Sequence, residues 1–235
     1  MKRKLIFGLI FGSLLSLSGL AQDLTTADAV IDKYLTAVGG KDKIRAIQDM
    51  TLSATTDIQG RTMETETKVK MPNKFKQTSY MMGNEAGGTT YDGTTLSRAM
   101  RGQTTTKAGK EAYQEFILNH PFSEIFYDSL QVEKKLIGIE KLDGNHTYDV
   151  ELTASGNTWH DYFDKDSGLK VRRTTTTESP RGKQQVEFNY GDYKAVNGIK
   201  FPFTSSRKFG QFEMSSETQS IKLNKGIDDK QFKIK

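Results

Sequence analysis

The chain has 235 residues, with 34 Lys+Arg against 29 Asp+Glu for a formal charge of +5, and no cysteine. Three of the cations, Lys2, Arg3 and Lys4, lie at the extreme N-terminus, so five less three leaves only +2 on the rest, and a nucleic-acid partner gains no support. With no cysteine there is no disulfide and no site for N-terminal lipidation, so stability must come from a packed core.

Lys2 to Lys4 precede an apolar run from Leu5 to Leu17. Gly19-Leu20-Ala21 then supplies the small residues of a cleavage site, so residues 1–21 read as a secretory signal peptide. The run is shorter than the roughly 20 residues that span a bilayer comfortably. The expected mature protein is a single domain, residues 22–235, periplasmic or secreted after cleavage near Ala21.

The mature part opens with a helix. Thr25 or Thr26 can cap it. Ala27, Val30, Ile31, Tyr34, Leu35 and Val38 form one apolar stripe, and Gly39-Gly40 ends it. A second short helix is expected over residues 41–47. From Met50 the period changes to two. Met63, Thr65, Thr67, Val69 and Met71 alternate with Glu64, Glu66, Lys68 and Lys70, giving one wet face and one mildly apolar face. Residues 75–82 read as a further strand. Gly87-Gly88 and Asp92-Gly93 punctuate the next stretch, and 95–107 reads as a hairpin.

Residues 108–130 break the β pattern. Tyr113, Phe116 and Ile117 have helical spacing, as do Phe122, Ile125, Phe126 and Leu130, with Asn119-His120-Pro121 between them. The remainder is β again, with turns at Asp143-Gly144, Gly156-Asn157, Ser167-Gly168, Arg181-Gly182, Asn197-Gly198 and Gly210. Tyr148, Val150 and Leu152 face inward on one strand and Ile199, Phe201 and Phe203 on another, while Val186, Phe188 and Tyr190 share one face of a third. The expected fold is mainly β (α+β): a curled antiparallel half-barrel of about ten or eleven strands. An N-terminal helix and a central helical insertion cover its concave face.

Several stretches carry a family likeness: Ala29-Val30-Ile31-Asp32-Lys33-Tyr34-Leu35 with Gly39-Gly40; Tyr91-Asp92-Gly93; Tyr162-Phe163-Asp164 with Ser167-Gly168-Leu169; and Asp192-Tyr193 with Gly198-Ile199-Lys200-Phe201-Pro202. In these and in its order of parts, the chain resembles the LolA/LolB-like superfamily of periplasmic lipoprotein carriers, particularly the outer membrane lipoprotein-sorting protein group. The resemblance implies a half-barrel closed by helices that holds acyl chains in an apolar cavity. The implied partners are lipid or lipoprotein acyl chains, with an inner-membrane transporter or outer-membrane acceptor. The outer-membrane receptor of that superfamily is itself a lipoprotein; this chain lacks the cysteine.

Candidate cavity or lid residues are Tyr113, Phe116, Ile117, Phe122, Ile125 and Phe126 of the insertion, with Met63, Val69, Tyr148, Val150 and Leu152 of the sheet. No catalytic, cofactor or metal constellation is expected. His120, His146 and His160 fall in no metal-ligand pattern, although His146 and His160 could face each other on neighbouring strands. Asp161, Asp164 and Asp166 precede Gly168 but lack the closing acid of a calcium loop, so a hairpin turn is the better reading. No G-x-S-x-G or phosphate loop occurs. The expectation is a monomeric, non-enzymatic carrier without cofactor; the alternatives are a binding or structural module of the envelope and, third, an enzyme.

Overall fold

The computed structural model describes residues 23–234 apart from 101, 119, 155, 180 and 181. The expected signal segment and its cleavage site lie outside the described residues. Helices α1 (Ala27–Ala37) and α2 (Lys41–Arg45) come first. After them run strands β1 (Asp49–Ile58), β2 (Arg61–Lys70), β3 (Lys74–Met81), β4 (Asn84–Tyr91), β5 (Thr95–Met100) and β6 (Gln103–Ala108). Helix α3 (Gly109–Leu118) and a 3-10 turn (Ser123–Phe126) make the central insertion. Then come β7 (Glu133–Leu142), β8 (Asn145–Ala154), β9 (Asn157–Asp164), β10 (Lys170–Ser179), β11 (Gly182–Val196), β12 (Ile199–Phe209) and β13 (Phe212–Leu223).

Among the described residues the strands form one 13-stranded antiparallel sheet, ordered β6-β5-β4-β3-β2-β1-β13-β12-β11-β10-β9-β8-β7. The first and last strands meet in the middle, where Met50 pairs with Leu223 and Thr56 with Ser216. The edges are therefore β6 and β7, which are consecutive in sequence. The sheet is open, a curled half-barrel, and the segment joining its two edges runs across its concave side. Phe116 packs on Tyr91 of β4 at 5.3 Å, Phe122 on Phe201 of β12 at 5.0 Å, and Tyr127 on Trp159 of β9 at 6.2 Å. No described helix is long and apolar enough to cross a membrane.

Thirteen strands exceed the ten or eleven expected, in part because Gly87-Gly88 sits inside β4 rather than in a turn. A Cβ at Gly87 would lie 2.7 Å from the Ala99 carbonyl oxygen, and one at Gly88 2.6 Å from that of Gln77. Close approach of the neighbouring backbones explains glycine within a strand here.

Helix α1 matches its sequence pattern closely. Thr26 caps it by accepting from the Ala29 amide at 3.2 Å, and Val30, Ile31, Tyr34 and Leu35 are buried. Tyr34 meets Phe163 of β9 at 5.3 Å, and the Leu24 amide donates to the Tyr148 hydroxyl at 3.1 Å. Gly39, at φ +132°, ends the helix against the β11–β12 turn, where the Lys200 amide donates to the Val38 carbonyl at 2.7 Å. A Cβ at Gly39 would lie 2.6 Å from the Gly198 carbonyl oxygen.

Gly39→Ala combines an unfavourable φ with a backbone clash, so it should lower unfolding free energy by about 1–3 kcal/mol. Urea denaturation monitored by far-UV circular dichroism measures this. An unchanged midpoint would mean that the α1-to-sheet contact has slack enough to absorb a methyl group.

Candidate functional site

Between the sheet and the insertion lies an open cavity of about 790 Å³, within the range of about 300–1,000 Å³ usual for small-molecule sites. Its walls come from β1, β2, β3 and β9 to β13, and its lid from His120, Pro121, Phe122 and Ser123. One end is closed by Tyr34, Phe122 and Phe201; at the other, Asn157, Thr176 and Thr177 reach solvent. A second cavity of about 230 Å³ adjoins it under Phe116 and shares Leu52, Thr67, Gln77 and Pro121 with it.

Residues paired across neighbouring antiparallel strands share a face, so the register defines rows on the concave side. Nearest α3 the row is Leu223, Met50, Val69, Phe75 and Tyr91, all buried. Two residues along, it is Ile221, Leu52, Thr67, Gln77 and Thr89. The next is Thr218, Ala54, Thr65 and Ser79, and the one beyond it Ser205, Ser216, Thr56 and Met63. Polarity thus rises along the strands away from α3. The cavity carries eleven Ser or Thr residues beside its aromatic ones, so its lining is mixed where the resemblance implied an apolar one. The cause is the threonine-rich alternation of β1, β2 and β10, which suits a strand without making its inner face dry.

A buried ionic cluster fastens the insertion to the sheet. Arg173 of β10 grips Asp161 of β9 with two bonds, Nε to Oδ1 at 2.6 Å and Nη2 to Oδ2 at 2.7 Å. The same Nη2 donates to the Tyr127 hydroxyl at 3.1 Å. Lys170 of β10 pairs with Glu124 of the 3-10 turn and lies 3.9 Å from Asp161. The Glu124 and Asp161 side chains have no solvent exposure. Lys170 also sits over the rings of Tyr34 and Tyr190, at 5.5 and 5.4 Å. Burial opposes charge on Lys170, but Glu124 and Asp161 outweigh it and hold the ammonium above its ordinary range. Burial opposes charge on Asp161 as well, yet Arg173 and Lys170 keep its carboxyl below the usual range. Burial keeps the Tyr34 and Tyr127 phenols protonated. Two cations and two carboxylates leave the cluster neutral overall. Among the described residues, Glu124 Oε2 and Trp159 Nε1 have no hydrogen-bond partner.

Of the sequence-derived candidates, Met63 and Phe122 line the large cavity and Phe116 the small one. Ile117, Val69, Tyr148, Val150 and Leu152 are buried in the core, and Ile125 and Phe126 pack half-buried against it. Tyr113 is on the surface of α3, 37% exposed. Ile199 and Phe201 are buried, while Phe203 is half-buried beneath Lys194 at 4.9 Å. His146 and His160 do not meet: His160 pairs across the ladder with Glu151 and contacts Asp149 at 2.8 Å, and His146 pairs with Lys141. Asp164 accepts from the Ser167 amide and hydroxyl, both at 2.7 Å, in a hairpin turn. Asp161 points the other way, into the core. Sequence reasoning missed Lys170, Arg173, Glu124, Trp159, Tyr190 and Tyr193 as parts of the site. One signal was available: Glu124 is an acid amid Phe122, Ile125 and Phe126, and a charge in so apolar a turn requires a partner.

These features define a fold class, an open antiparallel half-barrel with an insertion over its concave cavity. No family model matches the chain, and no curated protein matches it. Solved structures do match. A LolA superfamily protein from Nitrosomonas europaea superposes with a TM-score of 0.58 at 11% identity, over 90% of this chain and 99% of that one. A DUF1329 family protein from Desulfovibrio piger gives 0.56 at 13% identity, over 89% and 98%. An outer membrane lipoprotein-sorting protein domain from Vibrio parahaemolyticus gives 0.53 at 11%, over 86% and 97%. At these identities the likeness establishes the fold.

The fastening of the lid is open to test. Lys170→Met strands a buried Glu124 and should cost about 3–5 kcal/mol, whereas Glu124→Leu with Lys170→Met should recover most of it. Urea midpoints of the wild type and both variants decide; a double variant no more stable than the single one would show that the pair is not the fastening. A second prediction concerns His120, buried, its Nδ1 accepting from the Phe122 amide at 3.1 Å. Burial lowers its pKa from 6.5 to about 4. As pH falls through that window the unfolded chain binds the proton first, so stability is intact above 6.5 and falls by about 3 kcal/mol at pH 4. His120→Asn keeps an acceptor and should flatten the pH 5–6.5 part of the stability profile; an unaltered slope there would assign it to other groups.

Proposed function

We propose that this chain is a carrier that binds the acyl chain of a lipid or lipoprotein in the concave cavity, beneath the insertion. The observation that supports this most is the cavity itself: about 790 Å³, closed by aromatic residues at one end and roofed by a segment that spans the open sheet. Burying an acyl chain is worth about 0.8 kcal/mol per CH₂, so affinity needs no polar motif. The role of the superposed sorting-protein domain is consistent with this reading. In it, residues 1–21 are removed on export and residues 22–235 act as a single, non-catalytic domain in the periplasm. Cargo then passes from an inner-membrane transporter to an outer-membrane acceptor.

The chain has one tryptophan, and Trp159 lines the cavity, so its emission reports occupancy. Titrating delipidated protein with a fatty-acyl probe should shift that emission and saturate at one equivalent. Ala54→Phe, which fills the wall opposite the lid, should weaken uptake about tenfold or more. An emission that no acyl probe alters would overturn the carrier reading.

A further inference from the structure

A cavity serving acyl chains alone has no use for hydroxyl groups. Valine fits a strand as well as threonine does, so the concave face could be apolar throughout with no loss of β propensity. Instead the rows beyond Leu52 carry Thr56, Thr65, Ser79, Ser216 and Thr218. These residues come from four strands, so the pattern is a property of the assembled face and not of one threonine run. Their mutual bonds do not exhaust them. Thr56 and Ser216 meet at 2.7 Å, Thr65 and Ser79 at 3.4 Å, and Thr218 donates to the Pro202 carbonyl at 3.4 Å. But each hydroxyl has a donor and two lone pairs, so each hydroxyl pair keeps a free donor and free acceptors, and Thr218 keeps its acceptors.

The charge balance narrows the chemistry. Among the described residues the charged side chains lining the cavity are Lys170 and Arg173. Each is already met by a buried carboxylate, Glu124 or Asp161. An anionic head would find no uncompensated cation there, and its desolvation would go unrepaid. A neutral head bearing hydroxyls would find donors and acceptors along two adjacent rows.

From this we infer that the ligand is a neutral amphiphile. Its alkyl or acyl portion lies against the aromatic end, and a glycosyl or polyol head lies along the hydroxyl rows toward the solvent-reaching end. This rests on the carrier reading and names its ligand class.

The test compares dodecyl maltoside with dodecanoate, both below their micelle-forming concentrations, by Trp159 emission on the wild-type protein. The glycoside should bind at least about tenfold more tightly, the equivalent of one or two net hydrogen bonds. Thr56→Val with Thr65→Val and Thr218→Val should abolish that preference while dodecanoate still binds. Ser216→Ala alone should reduce it, which provides a milder variant if the triple one folds poorly. Dodecanoate binding as tightly as the glycoside to wild type would overturn the inference and leave the carrier reading standing. Failure of both probes to bind would overturn the carrier reading itself.

Discussion

Strand β1 pairs with strand β13, and the rest of the molecule depends on that pairing. It places the two ends of the meander at the centre of the sheet and the middle of the chain, β6 and β7, at the edges. A sheet that curls without closing brings its edges round a concave face. Whatever joins those edges must cross that face, so the insertion roofs the cavity by topology, whatever its own helical tendency. Its aromatic residues then meet the sheet in turn, from Tyr91 on β4 through Phe201 on β12 to Trp159 on β9.

Crossing is distinct from holding. The insertion is held on the β9–β10 side by Lys170 with Glu124 and by Arg173 with Asp161 and Tyr127. Opposite charges taken out of water gain from each other only when the geometry is good, which favours a single seated arrangement over many partly seated ones. On the other side α3 is tied to the sheet edge at the surface, where Arg98 and Lys107 meet Glu115 at 2.7 and 3.0 Å. Exposed pairs of that kind are worth about 0–1 kcal/mol. The buried fastening and the surface one are therefore unequal, and His120 lies between them, uncharged because it is buried.

Much of the fold was legible because it is written in local pattern. The stripe of α1, the Gly39-Gly40 stop, the period-two alternation of β2 and the hairpin glycines each act over a few residues, where steric and capping rules operate. Gly87-Gly88 misled because glycine marks either a turn or a close approach of backbones, and only the neighbouring strands distinguish them. The site was less legible. Met63 and Phe122 were found from apolarity, but Lys170 and Arg173 carried no mark of a site, and Asp161 read as part of a hairpin turn. A residue's face depends on register and on bulges such as the one between Lys170 and Arg172, which turn a side chain inward without a mark in the sequence.

By itself, then, the sequence determined the element types, most turn positions and an aromatic insertion between two β runs, since these depend on short-range sterics and hydrophobic periodicity. Only the tertiary structure decided that the first and last strands pair at the sheet's centre. It alone ranked the concave rows from apolar to hydroxylated, and it alone gathered Glu124, Asp161, Lys170 and Arg173 into one buried cluster. Those outcomes depend on contacts between residues far apart in the chain, and the energy of a buried charge or hydroxyl is set by the neighbours that folding brings to it.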